Sequence, residues 1–86
     1  MWDSVATFFS SFYALRGEKT LHKHDIPCKL IPSPRELSAS CAVSLTFEAS
    51  LVESVADLLA RNRVQVEAIY IYEGTGRERK PRLWNG

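Results

Sequence analysis

Between Ala42 and Arg63 the hydrophobic period of the chain changes abruptly, and that change limits the folds open to it. The run AVSLTFE alternates strictly: Val43, Leu45 and Phe47 take one side, and Ala42, Ser44 and Thr46 the other. Two-residue periodicity belongs to a strand with one buried face. Ser50-Leu51-Val52-Glu53 then has the S-x-x-E form of a capping box, in which two side chains satisfy free backbone donors of a helix start. Beyond it Leu51, Val55, Leu58 and Leu59 share one helical stripe, widened by Val52 and Ala56. Arg61 and Arg63 stand in the last turn, where cations suit the helix dipole.

The flanking segments repeat the pattern. VATFFS, from Val5 to Ser10, is β-branched and aromatic and reads as a strand. SFYALRGEKTLHKHD follows as a helix, with Ser10 or Ser11 as its cap and Ala14, Leu15 and Leu21 at helical spacing. Gly17 weakens that helix by about 1 kcal/mol relative to alanine. Asp25-Ile26-Pro27 ends it, because the residue before a proline avoids the α region. CKLIP is a second strand. VEAIYIY is the last, with Val66, Ala68, Tyr70 and Tyr72 on one face and Glu67, Ile69 and Ile71 on the other.

The order is therefore β-α-β-β-α-β. Two right-handed crossovers then give an α+β, ferredoxin-like sandwich. Its four-stranded antiparallel sheet has the order 4-1-3-2, with both helices on one face. The other face carries Ala42, Ser44 and Thr46 at its centre, and is open to solvent or to a second copy in a homodimer. Residues 1–73 form the single domain. The remainder, GTGRERKPRLWNG, carries Arg77, Arg79, Lys80 and Arg82 and reads as a mobile basic tail. Leu83 and Trp84 could anchor it on an acidic partner, on RNA or on the open sheet face.

Length and charge narrow the function. A chain of 86 residues builds one core. A formal net charge of +1 provides no field that captures nucleic acid or membrane. Tyr70 and Tyr72 could stack bases, but no RNP-like motif accompanies them. No run approaches the ~18 apolar residues of a membrane span. Met1-Trp2-Asp3 opens without the basic and apolar regions of a secretory leader, so a cytoplasmic protein is expected. Without a glycine-rich phosphate loop or catalytic-triad spacing, no cofactor is expected. Cys28 and Cys41 lack CxxC spacing, and His22 and His24 point to different faces of a helix, which argues against a metal.

The two cysteines differ in setting. In an antiparallel hairpin Pro32 lies opposite Ala42, and Cys28 falls near Thr46 or Phe47. At about 3.3 Å per residue the cysteines are then more than ~10 Å apart. A disulfide needs Cα atoms within roughly 7 Å, so none is expected between them. Cys28, beside Ile26 and Leu30, reads as a small core hydrophobe. Cys41 ends the loop IPSPRELSASC. Pro32 and Pro34 fix φ and remove two donors there, and Ser38 and Ser40 can bond local backbone groups. Arg35, folded over this loop, would favour thiolate over thiol. Against this, a lone cysteine at a strand start is more often buried and inert, and the residues alone leave both readings open. Glu18 shares a stripe with Leu15 and Leu21 and needs a partner. Pairing with Arg35 would brace the cysteine loop; Lys19, Lys23 or solvent are the alternatives.

These residues carry a resemblance. Phe9 and Ser11, then Ala14, Leu15 and Glu18, the Lys29 to Pro32 strand, and the loop Pro34, Arg35, Ser38 and Cys41 resemble the selenium/sulfur carrier-like family of small bacterial proteins. The family pattern is Phe-x-Ser, Ala-Leu-x-x-Glu, Lys-Leu-Ile-Pro and Pro-Arg-x-x-Ser-x-x-Cys-Gly, and it spans about Thr7 to Tyr72. Ala42 stands where the family usually has glycine. The resemblance implies a carrier or accessory protein rather than a turnover enzyme. Cys41 would hold a persulfide or selenosulfide, with Arg35 stabilising its thiolate and Ser38 supporting the loop. A donor protein, such as a cysteine desulfurase, would load it and an acceptor protein would unload it. The alternative is a non-catalytic interaction or regulatory module that uses the open sheet face.

Overall fold

The computed structural model describes residues 2–37 and 39–85. Its strands are β1 (Ser4–Phe8), β2 (Cys28–Pro32), β3 (Val43–Phe47), β4 (Val66–Glu73) and β5 (Lys80–Leu83). The helices are α1 (Ser11–Lys23) and α2 (Val52–Arg61). The strands form one antiparallel sheet in the order β2-β3-β1-β4-β5. Its first four strands have the 4-1-3-2 order, and the core is ferredoxin-like.

The fifth strand comes from the segment expected to be a mobile tail. β4 has 8 residues and its neighbour β1 has 5, so β4 extends past its partner. In a four-stranded sheet it would also present a free edge of unpaired donors and acceptors. Lys80–Leu83 fill that edge, from Glu73↔Lys80 to Tyr70↔Leu83. Pro81 is tolerated because β5 is itself an edge strand. The reversal needs glycine at position 74, where φ is +95° and a Cβ would lie 2.8 Å from the Glu78 carbonyl oxygen. Trp84 packs against the core on the helical side rather than on the other sheet face.

On the helical side, Ala6, Phe8, Leu45, Phe47 and Ile69 of the sheet meet Ala14 and Leu21 of α1 and Val52, Val55 and Leu59 of α2. Val43, Leu45 and Phe47 thus face the helices, as their alternation requires. Two local expectations change. The S-x-x-E box does not form, because Ser50 lies in a turn of 3-10 helix (Ala49–Leu51) ahead of α2. The backbone N–H of Ala49 instead donates to Asp3 Oδ1, at 3.1 Å. Leu15 is not in the core but 50% exposed; α1 buries Ala14, Gly17 and Leu21. Gly17 is the point of closest approach. A Cβ there would sit 3.2 Å from both Leu45 Cδ1 and Phe8 Cζ, in a layer where both side chains are fully buried.

The opposite face is also covered. Leu37, from a turn of 3-10 helix at Arg35–Leu37 in the β2–β3 loop, packs with Val5 and Tyr72, and Ile31 and Tyr70 border them. Ser44 and Thr46 are accordingly buried, not open as their polarity suggests. Both are hydrogen-bonded there: the Thr46 hydroxyl donates to the Ser4 carbonyl at 3.0 Å, and Ser44 Oγ lies 2.6 Å from Ser33 Oγ.

Gly17→Val tests the close approach. Methyl groups forced against Phe8 and Leu45 should lower stability by ~1–3 kcal/mol, read as a lower urea midpoint at unchanged slope. A midpoint at or above that of the parent would mean that α1 can move outward freely.

Candidate functional site

The loop carrying Cys41 is set by the β2–β3 hairpin. Its register runs from Cys28↔Phe47 to Pro32↔Val43, one residue from the expected Pro32–Ala42 pairing. The Ser33 N–H closes the loop base on the Ala42 carbonyl at 2.8 Å. Cys41 therefore lies six positions along the chain from Phe47, the partner of Cys28. At ~3.3 Å per residue that is about 20 Å. Both thiols are free.

Cys28 is a core residue under α1, with its sulfur 4.0 Å from the Glu18 carbonyl oxygen. Burial, and then the negative charge of Glu18, push its thiol up to about 11. It stays protonated at neutral pH and is a poor nucleophile. Glu18 thus sits on the helical side of the sheet, while Leu37 anchors the arginine turn on the other side. The supposed Glu18–Arg35 ion pair does not form. Among the described residues the ion pairs are Arg61–Asp57 and Arg82–Glu73.

Arg35 and Cys41 do come together. They line one groove of about 490 Å³ with Ser33, Pro34, Ala39, Ser40 and Ala42. Cys41 is 8% exposed. Ser38, expected to support the loop, lies outside the described residues.

Three sets of contacts hold the loop in place. Ser33 Oγ donates to the Cys41 carbonyl at 2.6 Å. Because that uses the only proton of the Ser33 hydroxyl, Ser44 must donate in the Ser33–Ser44 bond. Leu37 is the apolar plug, and next to it the Tyr72 hydroxyl donates to Glu36 Oε2 at 3.1 Å. Burial, and then this carboxylate, push the Tyr72 hydroxyl up to about 12, so it remains a donor. Arg79, just before β5, stacks on the Tyr72 ring at 5.1 Å.

The third set involves Glu67, which the alternation of β4 places with Ile69 and Ile71 on the helical face. The β1–β4 register runs Thr7↔Ala68 and then Phe8↔Val66, so Glu67 is an extra residue in a β-bulge. A bulge reverses the facing of neighbouring positions in the strand, and here it sends the carboxylate to the cysteine loop. Glu67 Oε1 accepts the Ser40 N–H at 3.1 Å, and Oε2 accepts the Ser40 hydroxyl. These bonds hold its carboxyl below the usual value of 4.5. A glutamate in register with two isoleucines packed on the core, Ile69 and Ile71, is the available signal that the alternation breaks.

The family model described as putative Se/S carrier protein-like matches residues 3–71. The chain belongs to that family. No curated protein and no solved structure matches it. The match takes in β1 through most of β4 and the whole cysteine loop; β5 lies outside it. In this Se/S carrier-like chain no described helix is long and apolar enough to cross a membrane. The described residues also hold no group of three or more candidate metal ligands.

The Glu67–Ser40 clamp predicts a pH dependence. A carboxyl lowered on folding stabilises above its unfolded value, and that contribution is lost as pH falls through the folded one. Hydrogen-exchange protection at the Ser40 amide should therefore hold at neutral pH and drop in acid below 4.5. Glu67→Gln should lose protection at neutral pH as well. Protection that ignores both changes would show that the clamp does not order the loop.

Proposed function

We propose that Cys41 is the chalcogen-carrying thiol of this family member. The observation that carries the reading is the common groove of Cys41 and Arg35 in a loop tied down from three sides. Arg35, whose charge is permanent, is the proposed counter-charge for the sulfur anions that form and leave during transfer. In loading, the Cys41 thiolate attacks the outer sulfur of a donor persulfide. An Sγ–S bond forms, the donor S–S bond breaks, and the donor leaves as thiolate. In unloading, an acceptor thiolate takes the outer sulfur, and Cys41 returns to thiolate. Selenium would travel the same way as a selenosulfide. The donor and acceptor are proteins, and sulfur moves at constant oxidation state, so the carrier needs no cofactor. Cys28, buried and protonated, takes no part.

With 8% of Cys41 exposed, transfer requires the loop to open around the thiol. The same burial favours a second reading, a non-catalytic interaction module in which Cys41 is a packing residue. Alkylation separates the two. Iodoacetamide should modify native Cys41 well ahead of Cys28, whereas equal slowness at both sites supports the module.

Intact mass after treatment with inorganic polysulfide tests the carrier directly. The parent and Cys28→Ser should each gain sulfur that a thiol removes, and Cys41→Ser should not. Sulfur that persists in Cys41→Ser and vanishes in Cys28→Ser would overturn the assignment. Arg35→Gln should slow loading by about fivefold, the equivalent of one solvent-screened charge interaction of ~1 kcal/mol.

A further inference from the structure

The sheet register gathers several chain segments at one end of the molecule. Thr7↔Ser44, Phe8↔Val66 and Pro32↔Val43 place the end of β1, the start of β3, the end of β2 and the start of β4 together. α1 begins there at Ser11, α2 ends there at Arg61, and Cys41 lies there in its groove. At this end large apolar side chains are left outside the core. Phe9 is 55% exposed, Phe12 61% and Leu15 50%. A single exposed apolar residue is ordinary; three over one strand-to-helix junction are a patch.

Three arginines stand at this end of the molecule. The Arg16 guanidinium reaches across to the end of α2 and donates to the Asn62 carbonyl at 3.3 Å. Arg63 comes directly after, with φ at +59°. Arg35 borders the groove. None of these three arginines is in an ion pair among the described residues. Glu67, the carboxylate tied to the cysteine loop, already accepts two bonds from Ser40. Three cations without ion pairs among the described residues thus lie at this end, although the net charge of the chain is only +1; the charge of Glu18, one turn on from Leu15, acts on Cys28 beneath α1.

We infer that this end is the docking surface for a protein that exchanges chalcogen with Cys41, and that the partner presents an acidic surface with an apolar centre. The inference rests on the carrier reading of Cys41. Complementary charge steers such an encounter, and the apolar centre supplies the contact that holds it. A second copy of the chain fits poorly, because a symmetric contact would set arginines against arginines. A nucleic acid would meet the cations but leave Leu15 without an apolar partner.

The test uses the isotopically labelled full chain and three probes without thiols. One is a short synthetic peptide with leucine and phenylalanine flanked by glutamates. The second has the same apolar residues flanked by lysines, and the third is a single-stranded oligonucleotide. The acidic peptide should shift the Phe9, Phe12 and Leu15 resonances and bind at least about tenfold more tightly than the basic one at low salt, with affinity falling as salt rises. Arg16→Gln/Arg63→Gln should lower that affinity several-fold with the melting temperature unchanged, and Phe12→Ser should do the same. Absence of peptide binding, equal affinity for both peptides, or shifts elsewhere on the molecule would overturn the inference. So would tighter binding of the oligonucleotide, or concentration-dependent shifts without any probe, which would mark self-association. Since the probes contain no sulfur, failure of polysulfide loading would remove the carrier reading while leaving this result to stand on its own.

Discussion

An antiparallel sheet with both helices on one side leaves its second face to water unless another segment covers it. In this chain the cover is the β2–β3 loop. Leu37 drops onto Val5 and Tyr72, and the polar residues beneath, Ser44 and Thr46, become buried and must find hydrogen-bond partners. Ser33 and the Ser4 carbonyl meet that need. The loop that bears Cys41 is therefore part of the packing of the domain as well as its candidate chemical site.

That double role explains the number of ties on the loop. A segment of ten residues between β2 and β3 would lose considerable backbone entropy on being held in place. Here the apolar plug, the Tyr72–Glu36 bond and the Glu67–Ser40 clamp offset the loss from separate directions. Each tie reaches the loop from a different part of the fold: β1 and β4 beneath it, the tail through Arg79 on Tyr72, and the bulge in β4. Loosening the loop to free Cys41 would then expose Val5 and Ser44 together. The thiol and the second face of the sheet are energetically coupled.

The two cysteines show how much position within the fold matters. Both are 8% exposed; Cys28 begins β2, and Cys41 lies two residues before the start of β3. Cys28 lies beneath α1 beside Glu18, and its thiol is held protonated. Cys41 lines a groove with Arg35 beyond the Pro32–Val43 end of the hairpin. Reading the hairpin from its sequence was enough to separate them, since Cys28 pairs with Phe47 and Cys41 lies beyond Val43. It was not enough to place Glu18, whose helical stripe is compatible with several neighbours. The loop motif carries the family likeness by itself, with Ala42 in a place that usually holds glycine.

The strands, the helices, their order and the side of β3 that faces the helices follow from the sequence, because hydrophobic period is a local property and crossover handedness is general to L-amino acids. Leu15 and Gly17 mark where this stops. Both are compatible with the stripe of α1, and only the distance from α1 to Phe8 and Leu45 decides that the glycine is inside. Glu67 is a second limit, since a bulge appears only when two strands are paired. The fifth strand is a third, because KPRL has little strand character until β4 offers it an edge. The meeting of Cys41 with Arg35, the folding of Leu37 over the open face and the charge gathered at that end all depend on contacts between segments far apart in the chain, and those contacts are decided by tertiary packing.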